Sequence, residues 1–183
     1  MAYPLLAAKE SDHIGKIFVS TDCPEISKIA KDHDAELIDR PAELASKEAL
    51  GEDAFVHGYR EIKRRLKEEG LDIELVVLLF ANGATLNRDL IDKGIAVLRK
   101  NGSFDSAVTT SVYNMWSPLR ARKLDADGCL HPMVPFETFG DPRNLNCDRD
   151  SQGDVHFADM AVSVVRPACL ENLGEGLLPQ KWM

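Results

Sequence analysis

Short apolar runs bounded by polar clusters alternate along this chain with longer stretches in which apolar residues recur at helical spacing. Ile17, Phe18 and Val19 form one such run, which stops at Ser20-Thr21-Asp22; that is the pattern of a strand buried on both faces. Ile26, Ile29 and Ala30 then recur at helical spacing behind Pro24 and Glu25, two residues that favour a first helical turn, with Thr21 and Asp22 offering cap oxygens. Ala35 to Ile38 reads as the next short strand, and Arg40-Pro41 releases the chain into a loop, since proline cannot donate to a ladder. Lys16 to Ser46 therefore predicts one βαβ unit, around which the other elements are arranged.

The alternation continues on both sides of that unit. Leu5 to Ala8, ahead of Lys9-Glu10-Ser11, reads as the second half of an amphipathic helix. Lys47 to Gly70 predicts a long helix carrying Ala54, Phe55, His57, Tyr59, Ile62 and Leu66. His57 in it reads as a packed or half-exposed helical residue rather than a ligand, because no second histidine falls one turn on. Asp72 to Leu79 predicts a buried strand with the loop Phe80 to Thr85 at its carboxyl end, and Leu90 to Lys100 a helix with Ile91, Ile95 and Leu98 on one face. Ser106 to Val112 is β-branched and predicts a strand that ends in the aromatic loop Tyr113 to Pro118. Arg120 to Lys123 alternates like a strand with one solvated face, and Asp125 to Gly128 is a turn. Val155 to Val165 reads as the last strand and Arg166 to Leu170 as a short helix or turn. In open α/β sheets ligands sit outside the carboxyl ends of strands, so the Phe80 to Thr85 loop is a stronger candidate than any helix face.

Bulk properties narrow the function. A length of 183 residues suits one domain with a sizeable core. A net charge of −8 speaks against nucleic acid or an anionic membrane as partner, because phosphate attraction needs a clustered basic face. The basic cluster Lys63-Arg64-Arg65-Leu66-Lys67 is answered at once by Glu68-Glu69 and reads as a solvated helix face. Cys23, Cys129, Cys147 and Cys169 lie far apart with no CxxC spacing, which suits a reducing cytoplasm. No apolar stretch reaches membrane length.

Three places carry candidate chemistry on residue type alone. Asp148, Asp150 and Asp154 suggest a calcium loop, yet the glycine and closing glutamate of an EF-hand are missing. Trp116 offers a ring for stacking on a sugar or base, or a cover for a core edge. Asp159 lies in an apolar strand, where a carboxylate is costly unless backbone donors, a partner or a cation satisfies it.

The strings IFVSTDCPEISKIAK and RPAELAS resemble the core of the sugar-activating cytidylyltransferases, the family of acylneuraminate cytidylyltransferases and related CMP-sugar synthetases. Weaker similarity runs through Val76 to Leu79, Asp105 to Val108 and Phe157 to Leu170. The resemblance implies a single α/β domain over residues 1–183, with a mostly parallel sheet flanked by helices, of the nucleotide-diphospho-sugar transferase, Rossmann-like type. It implies attack of a sugar hydroxyl on CTP, with magnesium or manganese, to give a CMP-sugar and pyrophosphate, and often a homodimer. Arg40, Ser46, Ala49, Gly51 and Asn82 fall where the family holds the nucleotide. Arg40 would offer a fork of donors, and otherwise reads as a surface ion-pair partner. Phe80 and Asp159 fall near the acceptor sugar, with Asp159 also the metal candidate.

The chain departs from that pattern at four places. The basic Gly/Ser-rich triphosphate loop that the family carries upstream of the first helix is missing, and the family's late Asp-x-Asp segment has no assured counterpart before Met183; truncation at both ends is the expectation. Phe80 to Leu86 stands where sialic-acid enzymes have Gln-Pro-Thr-Ser-Pro-Leu-Arg, which argues against sialic acid as the substrate. A family Asn-Gly pair becomes Asp159-Met160. Two alternatives stay open on this reading: a catalytically incomplete homologue that binds a nucleotide or partner without turnover, and a nucleotidyltransferase for another base.

Overall fold

The computed structural model of the chain describes residues 2–146, 148 and 153–172. Its helices are α1 (Ala2–Glu10), α2 (Pro24–Asp32), α3 (Gly51–Glu68), α4 (Arg88–Lys100) and α5 (Pro167–Glu171). Its strands are β1 (Phe18–Thr21), β2 (Glu36–Asp39), β3 (Val76–Leu79), β4 (Ser106–Val112), β5 (Arg122–Leu124), β6 (Leu130–Pro132) and β7 (His156–Val165). No described helix is long and apolar enough to cross a membrane.

Two compact units result, one running to Thr109 and resuming at Met160, the other spanning Thr110–Asp159. In the first, β1 and β2 pair in parallel from Phe18↔Glu36 to Thr21↔Asp39, as a βαβ unit requires. Sheet order β3-β7-β4 follows, with β3 and β7 antiparallel from Val76↔Val165 to Leu79↔Val162. The mostly parallel sheet expected from the sequence is thus met only in part: β1–β2 is parallel, β3–β7 and β5–β6 antiparallel. A buried apolar run reads the same in a parallel strand and in the middle of an antiparallel sheet.

Three apolar clusters build the first unit. Ile91, Ile95 and Leu98 of α4 meet Ala7 and Ala8 of α1 and Val162 and Val164 of β7, with Ile91, Leu98 and Val164 wholly excluded from solvent. Each such side chain contributes about 1.5–3 kcal/mol by burial. Gly94 is what lets α4 approach: a Cβ there would meet Val164 Cγ2 at 2.7 Å. A second cluster joins Tyr59 of α3 to Leu78, Met160, Val165 and Leu170, and a third joins Leu5, Val19, Ala30 and Ala35. Arg166 closes α4, donating from Nη2 to the Leu98 and Asn101 carbonyls at 2.8 and 3.3 Å, which satisfies carbonyls that a helix end leaves open.

Two local expectations are corrected. Asp22 does not cap α2: the N-cap is Cys23, without a side-chain cap bond, and Thr21 Oγ1 instead accepts from the Cys23 amide at 3.1 Å. The helix expected from Lys47 begins at Gly51. Lys47, Glu48 and Leu50 are exposed, so no apolar burial favours helix there, and the stripe facing the core begins only with Val56 and Tyr59.

The second unit is a β5–β6 hairpin with turns around it. Arg122↔Pro132 to Leu124↔Leu130 pair antiparallel, and the Asp125 carboxylate accepts the amides of Asp127 and Cys129 at 3.0 and 2.8 Å. Of the calcium-like aspartates, Asp150 lies outside the described residues, as do Cys147 and Leu177 to Met183.

Candidate nucleotide site

Parallel pairing puts the carboxyl ends of β1 and β2 side by side, and Arg40 is the first residue beyond β2. Its amide donates to the Thr21 carbonyl at 3.2 Å, extending the ladder by one rung. Its guanidinium turns back on the neighbouring strand: Nε donates to Ser20 Oγ at 3.2 Å and Nη2 to the Ser20 carbonyl at 2.6 Å. Arg40 and Ser20 are both half-buried. The surface ion-pair alternative for Arg40 has no carboxylate partner among the described residues, since its bonds go to a hydroxyl and a carbonyl.

The loop after Arg40 is a series of tight turns. A 3-10 turn runs over Ala42–Leu44, Ser46 Oγ donates to the Glu43 carbonyl at 3.2 Å, and the Ala49 amide donates to the Ser46 carbonyl at 3.3 Å. Gly51 opens α3, and a Cβ there would meet nothing within 4 Å; no protein atom demands glycine at that place. Ser46 and Gly51 are exposed and Ala49 half-buried.

Helix α3 is fixed to the same pair of strands from its far end. Arg65 Nη1 donates to the Leu37 carbonyl at 2.8 Å, and Lys16 Nζ holds Glu36 at 3.1 Å and Glu69 at 2.6 Å. Phe80, first residue after β3, meets Phe55 in the second turn of α3 edge to face, with ring centroids 5.6 Å apart. The β3 loop is thereby joined to the start of α3. Phe80 packs on the Tyr59 cluster. Asn82 is exposed in a turn closed by the Gly83 amide on the Phe80 carbonyl at 3.0 Å. Leu86, where the resembled family has arginine, is buried in the α4 cluster.

Asp159 belongs to the second unit. It is exposed and accepts from Ser111 Oγ at 2.6 Å, so the desolvation cost argued from its apolar neighbours does not arise. Trp116, 66% exposed, meets Tyr113 and Phe157 edge to face at 4.6 and 5.9 Å. Met160, where the resembled family has glycine, takes φ +57°. A side chain there costs roughly 1–2 kcal/mol, offset by burial of the methionine against Tyr59, Leu78, Val165 and Leu170. His57 is half-buried in α3, as expected, although its Nδ1 has no partner among the described residues.

Sequence reasoning missed Ser20. Its signals were its place in the string IFVSTDCPEISKIAK and, one residue before the end of a buried strand, its nearness to the loop where side chains of α/β sheets meet ligands. Among the described residues no three histidines, cysteines, aspartates or glutamates form a group able to hold a metal ion.

No protein-family model matches the chain. Over 126 residues, 68% of its length, it is 28% identical to the pseudaminic acid cytidylyltransferase and UDP-2,4-diacetamido-2,4,6-trideoxy-beta-L-altropyranose hydrolase of Helicobacter pylori (strain ATCC 700392 / 26695). It spans about a quarter, 23%, of that curated relative. Among solved structures it is similar to a CMP:2-keto-3-deoxy-manno-octonic acid synthetase complexed with CTP, with a TM-score of 0.60 and 12% identity over 96% of this chain and 68% of that one. It is also similar to the 4-diphosphocytidyl-2C-methyl-D-erythritol synthase of Anaerococcus prevotii DSM 20548, with a TM-score of 0.56 and 15% identity over 98% and 68%. The α/β fold is the one these nucleotidyltransferases share.

Proposed function

Because this chain is a relative of the cytidylyltransferases, we propose that it transfers a cytidylyl group from CTP to an acidic or unusual sugar. The sugar hydroxyl attacks the α-phosphorus and loses its proton. A new oxygen–phosphorus bond forms as the bond to the β-phosphate oxygen breaks, giving a CMP-sugar and pyrophosphate. Such a step gains most from holding both substrates in line.

The observation that carries this reading is the Arg40 guanidinium, braced on Ser20 at the joint carboxyl end of β1 and β2. Arg40 opens the string that resembles the family's nucleotide loop. In that reading its free donors meet the nucleotide, while the exposed loop through Ser46, Ala49 and Gly51 and the turn at Asn82 let backbone approach the base. Phe80 would border the sugar, and Asp159 would contact the sugar or a cation. An acidic sugar is favoured because pseudaminic acid stands in the name of the Helicobacter pylori relative.

The described residues build no metal site of their own. Magnesium or manganese would enter with the triphosphate, since such ions need only one or two carboxylates besides phosphate oxygens and water; bound there, the ion would neutralise phosphate charge. A cytoplasmic homodimer completes the proposal. Its location is in keeping with the free thiols of Cys23, Cys129 and Cys169.

Calorimetric titration of CTP, with ATP and GTP as controls and magnesium present, tests the base. CTP should bind at least tenfold tighter than either control and should release pyrophosphate when a suitable acidic sugar is added. Equal binding of all three nucleotides, or none, overturns the proposal.

A further inference from the structure

Arg40 has two donor edges. Nε–H and one Nη2–H lie along one; Nη1–H and the other Nη2–H lie along the second. Both bonds of the first edge go to a single residue, Nε to Ser20 Oγ at 3.2 Å and Nη2 to the Ser20 carbonyl at 2.6 Å. Nη1 has no hydrogen bond among the described residues. The backbone closes the arrangement through the bond from the Arg40 amide to the Thr21 carbonyl at 3.2 Å. The guanidinium plane is therefore held at two points, both on Ser20, while the Arg40 backbone is held at Thr21.

We infer that Ser20 is a positioning residue: it occupies the inner edge of the Arg40 fork and thereby presents the outer Nη1/Nη2 edge to an oxygen pair on the nucleotide. This rests on the reading of Arg40 as a nucleotide contact. A fork fixed beforehand loses little side-chain freedom when a ligand binds, which is where preorganisation gains affinity. The carbonyl alone fixes one point and leaves the fork free to swing about it; the hydroxyl adds the second point and fixes the plane. Ser20 is suited to this because β1 ends at Thr21 and β2 at Asp39, in register, so the first residue beyond β2 reaches back one rung.

The test compares the wild-type chain with Ser20→Ala, Ser20→Thr, Arg40→Lys and Arg40→Ala, reading CTP affinity by calorimetry and Arg40 Nε–H order by side-chain NMR. Ser20→Ala should weaken CTP binding roughly 5–10-fold and raise the mobility of the Arg40 Nε–H. Ser20→Thr should restore both, and Arg40→Lys should bind as poorly as Arg40→Ala, because an ammonium has no second edge. Melting midpoints identify any variant that fails to fold, and the threonine variant keeps the test alive in that case. Wild-type affinity in Ser20→Ala, with loss in Arg40→Ala, overturns the positioning role alone. Wild-type affinity in Arg40→Ala overturns the nucleotide reading of Arg40 and the inference with it. An Nε–H as mobile in the wild type as in Ser20→Ala overturns the inference whatever the chain binds.

Discussion

The first unit is held by what it buries, the second by bonds between near neighbours. All three apolar clusters lie in the first, around α1, α3, α4 and β7. In the second, Leu119 alone among the described apolar side chains is buried, and Leu124, Leu130 and Trp116 are 69%, 67% and 66% exposed. Its order comes instead from side chains bonded to nearby backbone: Asp125 to the amides of Asp127 and Cys129, Asp141 to the amide and guanidinium of Arg143, and Asn114 Oδ1 to the amide of Val155. Arg40 and its brace stand on the buried scaffold, where supporting packing fixes a side chain well. Asp159 stands on an exposed stretch of β7.

The largest break in this comparison comes from shaving one leucine in each unit. Leu98 is wholly buried in the α4 cluster, so Leu98→Ala should cost about 2–5 kcal/mol in a urea unfolding curve. Leu130, mostly solvated in β6, should cost no more than about 0.5 kcal/mol on the same change. Similar losses at the two positions would show that the hairpin buries its apolar face against something, and the contrast would fail.

Glycines sharpen it at smaller amplitude. Gly94→Ala drives a Cβ to 2.7 Å from Val164 Cγ2 and should cost about 1–3 kcal/mol, the usual cost of overpacking. Gly128 has φ +80° with open space around it, so Gly128→Ala should cost roughly 1 kcal/mol through backbone strain alone. Space decides the first and conformation the second. Thermal melts rank the pair, and a larger loss at Gly128 would reverse the roles of packing and turn geometry.

That division also explains what could be read beforehand. A short apolar run located β1, β-branching located β4 and helical periodicity located α4, each within a residue or two, because these are signals that sequence displays. Helix α3 starts four residues after the expected Lys47, since helix-forming residues without an apolar stripe gain nothing from the core. Strand direction was hidden in β3 and β7, as buried runs do not encode it. Arg40 was legible through the string RPAELAS; Ser20 stood in the string IFVSTDCPEISKIAK, yet its bond to Arg40 was not legible until the fold brought Arg40 back across it. The solvation of Asp159 was hidden too, because an apolar run does not tell which part of a strand the fold leaves in water, and here it is the first half of β7.

The smallest effect, and the most local, is the response to acid. Arg64 and Arg65 hold the Glu61 carboxyl down to about 2, while the Cys129 amide, then His131, hold Asp125 below its usual value. Both folded values lie under the unfolded ones, so the stabilisation is present above about pH 4 and is lost as pH falls through each folded value. The consequences differ by unit. Protonated Glu61 loses ion pairs on an exposed helix face, yet α3 keeps Val56, Tyr59 and Leu66 buried, so its amides should stay protected from hydrogen exchange. Protonated Asp125 is a weaker acceptor for the amides that make the turn, and among the described residues no apolar cluster holds the hairpin closed. Exchange at the Cys129 amide should therefore rise, relative to the intrinsic rate, as pH falls below about 4, while the amides of Ile62 to Leu66 do not change. Equal loss in both places, or earlier loss in α3, would mean that burial does not separate the two units as the clusters imply.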